Sequence, residues 1–193
     1  MKNKNSYYPL VVSQRYLPYV QEITDRLNAL KRTGWVDRGV ENPETVGEHT
    51  DELVAMAESL FDIPGLSIML RIHDWPESEK EVGDRRTDNF CSEDHRFTNE
   101  EKYEAELDAM IRICHRLGHL GRKVMKLWLE QEKQETKRSQ IAGQLDKLQA
   151  IKKSIWYQKQ GQPVIAQEFI DNDGPKISHP LIRRLFEEAM SEI

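Results

Sequence analysis

Apolar residues recur every three or four positions along most of this chain, the spacing of helices buried on one face. Leu17, Val20, Ile23, Leu27 and Leu30 predict a first helix. Val46, Leu53, Met56, Ala57 and Leu60 predict a second, entered through Asn42-Pro43-Glu44-Thr45, where an early proline and an acid suit a helix start. Pro64 and Gly65 break it. Leu66, Met69, Leu70 and Ile72 then run into His73-Asp74 on a short third helix. Ala105, Leu107, Met110, Ile111 and Cys114 predict a fourth, ended near Gly118, and Val124, Met125, Leu127 and Trp128 a fifth. Ile141, Leu145, Leu148, Ile151 and Ile155 predict a sixth, and Pro180 to Met190 a last one with Leu181, Leu185, Phe186 and Ala189 inward.

No segment alternates as a half-buried strand would. The expected fold class is therefore all-α: a single compact helical bundle over residues 1–193, with its motif-bearing core at about 26–158 and a C-terminal loop and helix over 159–193. Three connections are long: 32–44, the polar stretch 78–98, and 159–178 with its turn-like Asn172-Asp173-Gly174-Pro175. Loops of that length in a compact domain are usually functional or disordered. The first leads into the helix bearing His49 and the second follows His73-Asp74, which favours function.

Composition narrows the classes. Charged residues make up 32% of the 193, so the helices carry a solvated, charged surface, and no run approaches a membrane span. The N-terminus lacks the pattern of a secretory signal. A net charge of -5 disfavours nucleic-acid backbones as partners and is neutral on small phosphate esters. Two scattered cysteines, Cys91 and Cys114, fit a reducing cytoplasm.

The chemistry-bearing candidates are imidazoles and carboxylates inside predicted helices: His49, the pair His73-Asp74, and Asp146, which interrupts the sixth helix beside its apolar stripe. A carboxylate beside a core face must be paired or bind something. Two neutral imidazoles and two carboxylates form a mixed nitrogen and oxygen set that suits a borderline divalent ion. Singly, each has a plainer reading: a lone helical histidine is usually a surface or satisfied core residue, and Asp146 can pair with Lys147 or Lys123. His115 and His119 are spaced to share a metal but have no evident third ligand.

Read in order, the pieces are Arg32-Thr33-Gly34-Trp35, Arg38-Gly39-Val40, Pro43-Glu44-Thr45-Val46-Gly47-Glu48-His49, Ile72-His73-Asp74 with Glu77, Val82-Gly83-Asp84, Gln144-Leu145-Asp146-Lys147 and Ile177-Ser178-His179-Pro180. This series resembles the HD-domain phosphohydrolases over roughly residues 26–190, in particular their 5'-deoxynucleotidase branch. The resemblance implies an HD-type helical fold, one divalent metal ion (manganese, cobalt, iron, zinc or magnesium) on His49, His73, Asp74 and Asp146, and catalytic or substrate-orienting carboxylates at Glu77 and Asp84. It also implies a homodimer. The chain departs from the pattern in three places. Pro76 predicts that the helix bearing His73 ends at Trp75, the interval from Glu77 to Asp84 is about two residues longer, and Arg32 and Trp35 are separated by Thr33-Gly34.

The expected activity is hydrolysis of a deoxynucleoside 5'-monophosphate, with Arg32, Trp35 and Arg38 binding the substrate nucleotide. The alternatives are another phosphoester, such as a nucleoside triphosphate or cyclic nucleotide, or non-catalytic nucleotide binding. A triphosphate site would draw on Arg85-Arg86 and Lys152-Lys153.

Overall fold

The computed structural model describes residues 14–85, 87 and 97–193. Among them the elements are helices α1 (Leu17–Ala29), α2 (Thr33–Val36), α3 (Val46–Leu60), α4 (Leu66–Ile72), α5 (Asn99–Arg116), α6 (His119–Lys133), α7 (Lys137–Lys159), α8 (Ala166–Asp173) and α9 (Pro180–Met190), with 3-10 turns at Trp75–Ser78 and Gly174–Lys176. No strand occurs among the described residues, so the chain is all-α as expected; one isolated antiparallel bridge joins Lys31 to Thr45. Among the described residues no helix is long and apolar enough to cross a membrane.

Helix α7 is the axis of the bundle. It packs against α3, α4, α6, α8 and α9, and it buries residues all round its length, from Ser139 and Ile141 to Ile155 and Tyr157. Its core partners are Leu53, Met69 and Leu70 on α3 and α4, and Ile182, Phe186 and Ala189 on α9. A second cluster joins Ile23 and Leu27 of α1 to Met110 and Ile113 of α5 and to Val124 and Trp128 of α6. A buried aliphatic or aromatic side chain contributes about 1.5–3 kcal/mol, so these two clusters fix the helices that carry the candidate site.

Three details differ from the periodicity. Helix α9 buries Phe186 and Ala189 as expected, together with Ile182, while Leu181 and Leu185 are only partly buried. Ile111 is 51% exposed, and Ile113 takes the inward place on α5. Helix α4 ends at Ile72, three residues before the expected stop at Trp75, and the chain tightens into the 3-10 turn that holds Pro76. The three long connections are also less irregular than their polarity suggests, since α2 lies in the first, the Trp75–Ser78 turn opens into the second, and α8 lies in the third.

The entry to α3 is tightly specified. Thr45 caps it in a reciprocal box with Glu48, whose carboxylate receives the Thr45 N–H while Thr45 Oγ1 receives the Glu48 N–H. Gly47 lets α1 approach, because a Cβ there would lie 1.9 Å from Oδ1 of Asn28. Arg32 N–H donates to Glu44 O, and Val46 N–H to Leu30 O, closing the 31–45 segment at its base. Arg32, Glu44 and His49 are thereby held in fixed relation.

Candidate metal and phosphoester site

His49 (α3), His73 (just past α4) and Asp146 (α7) converge, with one ligand atom from each lying within 4.8 Å of the others. Nε2 of His49 is 3.1 Å from Oδ1 of Asp146 and 3.9 Å from Oδ2 of Asp74, and Nε2 of His73 is 3.1 Å from the same Asp74 oxygen. His49 has no exposed surface, whereas the Asp146 side chain is 38% exposed and opens on a cavity. His73 is seated by α6, since the buried Trp128 indole donates to its carbonyl at 3.2 Å.

The tautomers test whether a cation fits. Nδ1 of His73 lies 2.7 Å from the carbonyl of Leu70, which can only accept, so Nδ1 carries the proton. Nδ1 of His49 lies 2.8 Å from Oε1 of Gln149, whose amide nitrogen is committed to Glu44 and Glu52, so this Nδ1 is also the donor. Both Nε2 lone pairs then face carboxylate oxygens. Nε2 of His49 and Oδ2 of Asp74 are buried and have no hydrogen-bond partner. Lone pairs crowded on lone pairs are relieved by a cation, and a histidine ligand usually donates its other ring N–H as these two do. Without one, burial lowers the proton affinity of His73 but the neighbouring Asp74 outweighs it, and its pKa is pushed up to about 9. Burial opposes the charge on Asp74 and on Asp146, yet the imidazoles and Arg32 hold both well below the usual carboxylate range.

The cavity beside this cluster measures about 680 Å³, within the span of small-molecule sites. Arg32, Trp35, Arg38, His73, Asp74, Glu77, Asp84 and Asp146 all line it. A larger hollow of about 980 Å³ between α5 and α6 is lined by none of these residues.

Glu77 is 5% exposed, and the 3-10 turn rather than a continued helix delivers it: its N–H bonds Asp74 O at 3.0 Å. Burial, with Asp74 and Asp84 nearby, raises its pKa well above the ordinary value. Asp84 accepts the Thr33 N–H at 2.5 Å, and Thr33 Oγ1 donates to its carbonyl, so the lengthened 77–84 interval still returns it to the cavity. Burial disfavours charge on Arg32, but Asp84, Asp74, Asp146 and Glu77 together hold it firmly protonated, and its Nη1 lies 3.8 Å from Asp74 Oδ2.

Trp35 lines the cavity yet is only 3% exposed. It stacks on Phe169 of α8 at 4.9 Å, and its indole donates to Glu44 at 2.8 Å. Arg38 bonds Gly34 O at 3.0 Å, pairs with Glu168 at 3.3 Å and lies over the Phe169 ring at 4.8 Å. Of the extra cations, Arg85 lines the cavity with its guanidinium on the carbonyls of Val82 and Glu81, and Lys153 is turned to Glu44 and Glu52. Arg86 lies outside the described residues.

Lys102 of α5 was not among the sequence candidates. It lines the cavity with Nζ 3.8 Å from Glu77 Oε1 and 3.4 Å from Glu106 Oε1. Burial opposes its charge, and those carboxylates keep it protonated above its ordinary range. Phe169, Lys147 and Lys176 also line the cavity unforeseen.

The profile of the HD domain family matches residues 24–180. The 5'-deoxynucleotidase HDDC2 of Dictyostelium discoideum is 34% identical over 187 residues, covering 88% of this chain and 94% of that protein. The 5'-deoxynucleotidase HDDC2 of Homo sapiens is 30% identical, with coverage of 88% and 82%. Among solved structures, a conserved hypothetical protein of Pyrococcus furiosus superposes with a TM-score of 0.69 at 24% identity, over 90% of this chain and 99% of that one. A protein of Magnetospirillum magnetotacticum named as a predicted metal-dependent phosphohydrolase gives 0.66 at 24% identity, over 92% and 94%. These two likenesses concern the fold.

Proposed function

Because the chain belongs to the HD-domain family, we propose that it is a metal-dependent phosphohydrolase that converts deoxynucleoside 5'-monophosphates to deoxynucleosides and phosphate. The observation that carries this reading is the convergence of the His49 and His73 imidazoles with carboxylate oxygens beside a cavity that the partly buried Arg32 also lines. The named activity of the relatives supports the substrate.

His49, His73, Asp74 and Asp146 would hold the ion. A divalent ion bound there supplies Lewis acidity to a phosphoryl oxygen and to the attacking water. With an ion's charge favouring its carboxylate form, Glu77 would accept a proton from the water, and its raised proton affinity would help it return that proton to the departing 5'-oxygen. Arg32 and Lys102 approach the same carboxylate-rich wall and offset negative charge that spreads over the phosphoryl oxygens. Asp84 keeps Arg32 and Thr33 in place. Phe169, stacked on Trp35, offers an aromatic face to the nucleoside, with Arg38 and Glu168 fixing that wall. Among the described residues the buried thiol of Cys114 is in no disulfide, which fits a reducing cytoplasm.

A phosphate-release screen over deoxynucleoside mono- and triphosphates, ribonucleotides and cyclic nucleotides tests this reading. Release confined to triphosphates would favour instead the further cations that line the cavity, Arg85, Lys147 and Lys176.

A further inference from the structure

The His49 ring is held by a run of buried polar side chains that the reaction itself does not use. Oε1 of Gln149 takes the Nδ1 proton at 2.8 Å. The Gln149 amide nitrogen donates to Oε2 of Glu44 at 3.0 Å and to Oε2 of Glu52 at 2.9 Å. Glu44 is 5% exposed and fully engaged: Oε1 accepts the Trp35 indole, Oε2 meets Nζ of Lys153 at 3.1 Å, and its N–H donates to the Tyr157 hydroxyl at 2.7 Å.

A glutamine amide can be turned end for end with almost no change in shape, so only its partners decide which end faces His49. Two carboxylates at the nitrogen end decide it here. They leave the oxygen facing Nδ1, which places the ring proton on Nδ1 and the lone pair of Nε2 toward Asp146 and Asp74. A flipped amide would present N–H to Nδ1. The ring would then accept there and carry its proton on Nε2, where the ligand lone pair is needed.

We infer that Gln149 and Glu44 are positioning residues that lock His49 in the tautomer able to ligate a metal, with Lys153 balancing the Glu44 charge. The inference rests on the metal reading of the site. It accounts for the carboxylate of Glu44 lying buried against three partners, Trp35 on α2 and Gln149 and Lys153 on α7, and for a polar glutamine on a helix whose neighbouring positions are apolar.

The test uses Gln149→Leu and the isosteric Glu44→Gln in the full chain, with two readouts. Ring-nitrogen NMR shifts of histidine-labelled, metal-free protein, at a pH where the rings are neutral, report the tautomers. Equilibrium dialysis against manganese(II) reports affinity. In the wild type His49 is expected to carry its proton on Nδ1. Gln149→Leu loses that preference and weakens manganese binding by about 10- to 100-fold, as outer partners of metal ligands typically do, and Glu44→Gln moves both the same way. His73, anchored on the Leu70 carbonyl, keeps its shifts and serves as internal reference. Unchanged His49 shifts and affinity in both variants would overturn the inference. So would His73 moving as far as His49, since that reports general disruption. A wild type that binds no manganese, while His49 still changes tautomer in the variants, would contradict the metal reading and support the positioning role.

Discussion

Nε2 of His49 faces Oδ1 of Asp146 across 3.1 Å, with the ring proton held at the far nitrogen by Gln149. A nitrogen lone pair set against a carboxylate in a buried site costs stability unless a cation lies between them. His73→Ala, Asp74→Ala and Asp146→Ala each remove a donor from that centre. Each is expected to lose stoichiometric metal and all measurable turnover while remaining helical. Metal analysis of the purified variants checks this, and retention of a full equivalent by all three would move the site elsewhere.

Glu77 is expected to separate metal from chemistry. Glu77→Gln should keep the metal and lower kcat by about two to four orders of magnitude, the usual weight of a general acid or base. Burial and the charges of Asp74 and Asp84 favour its protonated form. In metal-free protein its carboxyl should therefore titrate above the ordinary glutamate range, and a divalent ion, which favours the carboxylate, should lower that midpoint. Carboxyl NMR titrations with and without ion read the sign directly. A midpoint that does not fall on adding the ion would place Glu77 away from the metal.

Lys102 is expected to act on phosphate. Lys102→Met removes its charge from the cavity and should raise KM and weaken competitive inhibition by inorganic phosphate about tenfold, a change of about 1.4 kcal/mol. Lys102→Arg should recover most of both. Loss of kcat alone, with phosphate inhibition intact, would confine Lys102 to holding Glu77 and Glu106.

The contrast between Lys102 and the histidines shows what was legible beforehand. His49, His73, Asp74 and Asp146 each have a plainer reading singly and stand out because, in order with their flanking residues, they resemble the HD-domain series. Lys102 sits in a run of charged residues at the start of α5, where its local pattern is that of a solvated face. The packing of α5 on the Trp75–Ser78 turn leaves it only partly exposed, beside Glu77. Helix α8 was hidden for a different reason: at eight residues it is too short for periodicity to register, and the neighbouring Asn172-Asp173-Gly174-Pro175 reads as a turn. Phe169 and Glu168 were lost with it. Trp35 was legible as an aromatic near the site, but its burial against Tyr157 and Phe169 depends on α7 and α8 arriving from far along the chain.

That burial changes how the sugar preference is tested. Trp35→Ala should cost about 3–5 kcal/mol in stability, as truncation of a buried aromatic does, and would blur any kinetic reading. Phe169→Leu is the milder probe, because Phe169 is only partly buried and lines the cavity. If this wall excludes a 2'-hydroxyl by clash, the leucine variant should narrow the deoxy-over-ribo preference by admitting ribonucleotides. Comparing kcat/KM for dAMP and AMP checks it, and an unchanged ratio would put the sugar gate at another wall.

The most direct measurement is phosphate release from dAMP and AMP by protein stripped with chelator and then resupplied with one divalent ion at a time. The stripped protein is expected to release no phosphate, at least one of manganese, cobalt, iron, zinc or magnesium should restore release, and kcat/KM should be higher for dAMP than for AMP. Release that persists without metal, or equal values for the two nucleotides under every ion, would contradict a metal-dependent 5'-deoxynucleotidase.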